Sequence, residues 1–504
     1  MTRQFQLLAD QAFARTAGAP LVGGNAVRLL KDGNENYPAW LEAIRSAKHW
    51  IHLETYILHD DKIGRVFAEA LCERARAGVK VCLLVDWLGS LLKSGPGFWR
   101  TFAKAGVDAR SFGYPTIDSP LGWVSRDHRK TLCVDGRVAF VSGLCVGDEW
   151  LADPKTGREA QRDTGVMIEG PAVADIEAAF AEAWSTTGQR IPAHELPAAA
   201  SIAPCGDVAL RVIPTMPATA GVFKLDQLVA SVARETLWIT DAYFVGVSAY
   251  IRALIAAAQD GVDVRMLVPG TVDVFGVGAM SRSGFRALLQ GGVRIFEWNG
   301  TMVHAKTAVA DGKWARVGSS NLNITSWFGN WELDVAIEDE RFGTQMMAMF
   351  ERDLENSTEV VLKARKVLAL SEVRRVEGYS VERRRKPRIE DWRRHGRSTT
   401  RAAAAGAIRM GRTLGAAITR RREVGPAEAI NLFWSSLIFL GLGVLAFFVP
   451  KAISLPFGII AVWFAVAGLF QSWRLYVRET TSRETAERVE DSRKAPQPEG
   501  RRHA

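Results

Sequence analysis

His128-Arg129-Lys130-Thr131-Leu132-Cys133-Val134-Asp135 returns 176 residues later as His304-Ala305-Lys306-Thr307-Ala308-Val309-Ala310-Asp311. Residues two apart on a strand face the same side, so each copy predicts an imidazole held beside an ammonium group. One His-x-Lys carries little information, because a lone strand histidine is usually a core or surface residue. Two copies with the same spacing to an aspartate do carry it. The pair suits phosphate chemistry: one imidazole attacks phosphorus, a second protonates the leaving oxygen, and two lysines hold the non-bridging oxygens.

The surrounding sequence repeats as well. Trp50-Ile-His-Leu-Glu54-Thr-Tyr56-Ile57 aligns with Leu237-Trp-Ile-Thr-Asp241-Ala-Tyr243-Phe244, each predicting a strand with an acid and a tyrosine at matching offsets. Ala77-Gly-Val-Lys-Val-Cys-Leu-Leu-Val85 aligns with Asp260-Gly-Val-Asp-Val-Arg-Met-Leu-Val268, where Gly78 and Gly261 close the preceding helices before apolar strands. Ala105-Gly-Val-Asp and Gly291-Gly-Val-Arg form a third correspondence. Strands alternating with helices predict α/β architecture, here as two pseudo-symmetric units whose strand ends share one cleft. Between them, Ile191 to Gly206 carries Pro192, Pro197 and Pro204 among small residues and reads as a linker.

At 504 residues, 48% hydrophobic and 24% charged, the chain is long enough for several domains and apolar enough to bury a large core. That excludes a disordered or fibrous class. The five cysteines, at 72, 82, 133, 145 and 205, have neither zinc-site spacing nor disulfide-scaffold density, which fits a reducing compartment.

The net charge of +9 is concentrated. Arg374 to Arg422 holds sixteen Arg and Lys against four acids, a local +12 that leaves the rest of the chain near −3. A nucleic-acid-binding body is therefore disfavoured, since phosphate binding needs cations on the folded domains. Ala429 to Val449 then runs twenty-one residues without a charge, and a second apolar run extends from about Ala452 to Trp473. About 20 residues span the hydrocarbon layer, so the two runs predict a transmembrane hairpin rather than a buried helical pair of a soluble domain. The basic flank before the hairpin predicts a cytoplasmic catalytic body, with Trp473 and Tyr476 at the interface. Met1 to Pro20 contains Asp10 and no long apolar core, so no signal peptide is expected.

The doubled His-x-Lys-x4-Asp resembles the phospholipase D superfamily from Asn34 to Val361. The strings IHLETYILHDDKIGRVFAEAL, AGVKVCLLVDWLGS, RDTGVMIEGPAVADIEAAF, MSRSGFRALLQGGVRIFEW and HAKTAVADGKWARVGSSNLN are similar to bacterial cardiolipin synthases and related phosphatidyltransferases. The resemblance implies two phospholipase D-like α/β sandwich domains sharing one active-site cleft, and a metal-free, cofactor-free reaction through phosphohistidine. His128, Lys130, His304 and Lys306 would be catalytic. Asp163 and Glu332, at equivalent places, would orient the histidines. The family's Gly-Ser-x-Asn is met by Gly318-Ser319-Ser320-Asn321, making Ser319 and Asn321 substrate-binding residues. The first half reads Ser142-Gly143-Leu144-Cys145 there, replacing the amide by the thiol of Cys145, a weak donor. Glu54 and Asp241 are expected at the cleft with Tyr56 and Tyr243, and Asp135 and Asp311 as structural residues of the motif turn.

The expected organisation is 1–195 and 196–365 as phospholipase D-like domains, 366–428 as a basic juxtamembrane linker, 429–473 as the hairpin and 474–504 as a charged cytoplasmic tail. The expected function is phosphatidyl transfer making cardiolipin at the bacterial inner membrane, with anionic phospholipids as substrates and no nucleic-acid partner. Two alternatives stand beside it: a hydrolase using water as acceptor, and a lipid-binding protein whose site is impaired at Cys145.

Overall fold

In the computed structural model, which describes residues 11–115, 124–217, 219–272 and 277–362, the repeated segments fold into repeated elements. The first unit runs β1 (Val22–Lys31), α1 (Asp32–Ser46), β2 (Trp50–Thr55), α2 (Lys62–Arg76), β3 (Lys80–Asp86), α3 (Pro96–Ala105), β4 (Asp108–Phe112), β5 (Lys130–Val134), β6 (Val138–Ser142), β7 (Thr164–Glu169) and α4 (Val173–Ser185). The second runs β8 (Val208–Thr215), α5 (Gly221–Val232), β9 (Thr236–Thr240), α6 (Ser248–Gln259), β10 (Asp263–Pro269), α7 (Val277–Gln290), β11 (Arg294–Trp298), β12 (Thr307–Ala310), β13 (Trp314–Gly318), β14 (Glu332–Glu338) and α8 (Glu340–Glu355), with β15 (Ser357–Glu359) on its edge. Gly78 and Gly261 take φ of +89° and +96° after α2 and α6, as glycine at a helix end allows.

Among the described residues the strands form one sheet, ordered β15-β11-β10-β9-β12-β13-β14-β8-β1-β7-β6-β5-β2-β3-β4. Apart from β15 the order reads the same from both ends, so a pseudo-twofold axis passes between β8 and β1, which pair antiparallel. Strands β2, β3 and β4 are parallel, as are β9, β10 and β11. Strands covered on both faces need apolar residues at every position, which accounts for the unbroken Val81-Cys-Leu-Leu-Val85. Its alternation assigns the faces: Val81, Leu83 and Val85 pack with α1, α2 and α3, while Cys82 and Leu84 meet Phe180 and Trp184 of α4. A third core joins residues of α4 and α8 to strands of both halves, so the two repeats share buried apolar surface.

The motif turns are built alike. Asp135 and Gly136 have φ of +55° and +61°, and Asp311 and Gly312 have +50° and +62°, the primed hairpin geometry that Asp-Gly favours. Asp135 accepts hydrogen bonds from the amides of Lys48, His49 and Trp50, and Asp311 from those of Arg234, Glu235 and Thr236. Each aspartate thereby ties its turn to the start of the neighbouring strand.

No helix among the described residues is long and apolar enough to cross a membrane. The basic stretch, the spans read at 429–473 and the tail lie outside the described residues.

Candidate active site

The sequence reading put each His-x-Lys inside a strand, but the histidines lie just ahead of β5 and β12. There the backbone has left the ladder and bonds across the pseudo-twofold: His128 N donates to Trp331 O at 2.8 Å, and His304 N to Arg162 O at 2.7 Å. Trp331 precedes Glu332, and Arg162 precedes Asp163. Each bridge therefore delivers a histidine to the carboxylate of the opposite half.

His128 Nδ1 is 2.9 Å from Glu332 Oε2 and 3.2 Å from Ser319 O. His304 Nδ1 is 2.8 Å from Asp163 Oδ2. Both carboxylates are fully buried. Burial alone would raise them, but His128 with Lys130 outweighs it at Glu332, and His304 with Lys306 at Asp163, holding both below the ordinary carboxylate range. Burial conversely lowers both imidazoles, His128 to about 4, with Glu332 opposing and Lys130 assisting. The consistent assignment is an ionised carboxylate accepting Nδ1–H from a neutral ring, leaving each Nε2 with its lone pair.

Lys130 and Lys306 are buried, and each ammonium donates to the carbonyl of its own motif histidine. They lie over the rings of Tyr56 and Tyr243, which meet His128 and His304 edge-on at 4.9 and 5.9 Å. Burial lowers Lys306 toward about 8; Asp163 opposes this and the field of Lys130 adds to it. Two lysines 176 residues apart that repel each other belong to one site, poised to accept an anion.

The remaining expected residues divide. Asn321 is buried with its Oδ1 atom lacking a protein partner. Ser319 Oγ donates to Glu332 Oε2 at 2.6 Å. Cys145 is buried within the field of both lysines, and burial raises its thiol despite them, so it is neutral. Glu54 and Asp241 are fully enclosed by protein: Glu54 accepts from Thr131 Oγ1, and Asp241 from the amides of Tyr243 and Leu322. Burial raises both carboxyls, Asp241 to about 7, with Arg129 the main opposing charge at Glu54 and the Leu322 amide and Lys306 opposing at Asp241, so both are enclosed acids near the lysines rather than exposed cleft groups.

Three contributors escape the repeat pattern. Trp150 Nε1 donates to Asp163 Oδ2 at 3.1 Å and its ring lies edge-on to His304. Asn330 Nδ2 donates to Glu332 Oε1 at 3.2 Å. Arg162, whose carbonyl holds His304 N, binds Asp353 of α8 and Asp32. Only the position of Arg162 is matched in role, by Trp331; Gln161 holds the offset of Asn330 but bonds Glu149 instead of the carboxylate, so the repeat gave no signal for these side-chain contacts. Among the described residues no group of His, Cys, Asp and Glu is arranged to hold a metal ion.

Residues 40–184 and 229–354 match the family model described as cardiolipin synthase, phospholipase D-like domain. The chain is 34% identical over 355 residues to a cardiolipin synthase of Halalkalibacterium halodurans, covering 69% of each. It is 32% identical over 360 residues to cardiolipin synthase A of Pseudomonas syringae pv. syringae, covering 69% of this chain and 73% of that one. Among solved structures, phosphatidylserine synthase of Haemophilus influenzae matches 69% of this chain and 91% of its own with a TM-score of 0.54 at 15% identity, a likeness of fold alone.

Proposed function

This chain belongs to the phospholipase D-like cardiolipin synthase family of phospholipid phosphatidyltransferases, and we propose that its reaction joins two phosphatidylglycerol molecules into cardiolipin and glycerol. The observation that carries the reading is the crossed pairing of two neutral imidazoles with two ionised carboxylates around two buried lysines. It supports a two-step exchange. His128 Nε2 attacks the donor phosphorus, the bond to the glycerol oxygen breaks, and that oxygen takes a proton from His304. The donor's own anionic phosphate, arriving beside His304, favours the protonated ring this step needs. The hydroxyl of the second lipid then gives its proton back to His304 while its oxygen attacks phosphorus and releases His128. Lys130, Lys306 and the Asn321 amide hold the non-bridging oxygens. Glu332 and Asp163 hold the rings in the reactive tautomer.

The anchoring belongs to the same proposal. Domains at 1–195 and 196–365 form the catalytic body, 366–428 a basic linker and 429–473 a transmembrane hairpin, with 474–504 a cytoplasmic tail. This arrangement holds the body on the cytoplasmic face of a bacterial inner membrane, and its support is the charge and hydropathy pattern of the sequence.

The test is incubation of purified protein with radiolabelled phosphatidylglycerol, followed by chromatography of the lipids. Cardiolipin with released glycerol is the expected outcome. Phosphatidic acid would mean that water is the acceptor, and unchanged substrate would mean a lipid-binding protein with an impaired site.

A further inference from the structure

Nine large hydrophobic side chains are exposed among the described residues, and six of them sit on segments tied to the two motif histidines. Leu91 and Leu92 follow Ser90, whose hydroxyl donates to Tyr56 O, and Tyr56 touches His128. The ring of Tyr114 packs on Trp87, next to Asp86, which accepts the amide of Asp127 immediately before His128. Val124 precedes Ser125, whose hydroxyl donates to the carbonyl of Gly329 beside Phe328. Ile324 follows Asn323, whose amide group donates to Tyr243 O, and Tyr243 lies against His304. All six thus stand within a few bonded or hydrogen-bonded steps of a catalytic imidazole. Leu92 is 92% exposed and Ile324 62%, exposures that burial of apolar surface disfavours unless something covers them.

The charge on these segments says what covers them. Residues 87–100, 113–115, 124–126 and 321–331 carry Lys93, Arg100 and Arg126 and not one Asp or Glu. Lys93 pairs with Glu149 at 3.8 Å, so this apolar rim carries three cations against that one acid, a balance that suits the headgroup layer of an anionic bilayer. We propose that this rim docks onto a membrane surface rich in anionic phospholipid, so that substrate headgroups pass from the bilayer into the cleft without crossing water. The inference rests on the proposed lipid reaction and adds where the lipid enters.

The test uses the full chain carrying Cys205→Ser, since Cys205 is the exposed cysteine among the five. A single new cysteine is placed by Leu92→Cys, Phe328→Cys or, as a control away from the rim, Val232→Cys. Each is labelled with an environment-sensitive fluorophore and reconstituted into phosphatidylglycerol vesicles containing a spin-labelled quencher lipid. The docked rim predicts blue-shifted, quenched emission at 92 and 328 and neither change at 232. Absence of quenching at 92 and 328 in protein that still converts phosphatidylglycerol overturns the docking surface and spares the reaction. Quenching without conversion supports docking and defeats the reaction. A blue shift that grows with protein concentration and needs no vesicles assigns the rim to a second copy of the chain and overturns the proposal.

A second measurement uses Leu92→Ser combined with Phe328→Ser. Conversion of vesicle phosphatidylglycerol should fall roughly tenfold, while conversion of a short-chain analogue below its micelle concentration changes less than about twofold. Equal loss on both substrates counts against docking.

Discussion

The Nδ1 atom of His128 lies 2.9 Å from the Oε2 atom of Glu332, a carboxylate supplied by the other half of the repeat. With the matching bond from His304 to Asp163, neither half holds a complete histidine–carboxylate pair of its own. Glu332→Gln and Asp163→Asn are therefore expected to leave the fold intact and lower kcat by roughly 10²–10⁴-fold, because the amide no longer fixes the tautomer or balances the imidazolium. Thermal unfolding and steady-state rates together check this. A rate within a few-fold of the parent would remove these carboxylates from the mechanism.

The two histidines should not be interchangeable. His128→Ala and His304→Ala both nearly abolish turnover, but rapid quench with labelled donor should trap an acid-labile phosphopeptide containing His128 and none containing His304. Label on His304 alone reverses the assignment of nucleophile and acid.

The pH profile has a defined sign. His128, brought down to about 4 chiefly by burial, keeps its Nε2 lone pair at all pH above that value, so the acid limb of kcat/KM should fall near pH 4, well below the ordinary imidazole value. Lys306, lowered toward about 8, loses its positive charge as pH rises through that value and sets an alkaline limb. Because Glu332 raises His128, residual activity of Glu332→Gln should show its acid limb moved to lower pH. A limb that moves upward contradicts the electrostatic reading.

The GSSN loop and its first-half counterpart predict an asymmetric mutational response. A Cβ on Gly143 would stand 2.2 Å from Asp163 Oδ1, so Gly143→Ser is expected to displace the carboxylate and abolish activity. Ser319→Gly in the other half loses the 2.6 Å bond to Glu332, about 1.5–3 kcal/mol for a hydrogen bond to a charged group, and the 3.0 Å bond accepted from the Leu333 amide, but leaves the carboxylate in place and should leave measurable turnover. Cys145→Asn should keep or raise activity by adding an amide donor. A severe loss there would mean that the pocket is sized for the thiol.

The basic stretch is predicted to clamp anionic lipid independently of the hairpin. A chain ending at Arg422 keeps all sixteen cations, each worth up to about 1 kcal/mol near an anionic surface, and should sediment with anionic vesicles and leave them as salt rises. Equal binding to neutral vesicles, or indifference to salt, would reduce the stretch to a tether.

The duplicated α/β pattern and both His-x-Lys pairs were legible in the chain, because each is a local pattern that the repeat presents twice, whereas the part of Asp163 and Glu332 came from the resemblance to a family. The roles of Trp150 and Asn330 were not legible: the indole comes from the connection between β6 and β7, and the amide bonds its carboxylate while Gln161, at the same offset in the first half, bonds Glu149 instead. Glu54 and Asp241 were legible as acids but not as enclosed ones, since burial depends on what packs around a strand end.

Local periodicity, turn chemistry and spacing act over a few residues, and by themselves they determined that the chain carries two copies of one α/β unit with a His-x-Lys motif, followed by a basic, apolar C-terminal region. Which carboxylate serves which histidine was decided only by tertiary structure. The partners of the His128 pair are 204 residues apart, and they meet because the lead-ins to β5 and β12 leave their own ladders and hydrogen-bond across the pseudo-twofold axis. No property of either segment alone encodes that bridge; it exists only once both halves have folded onto a shared core.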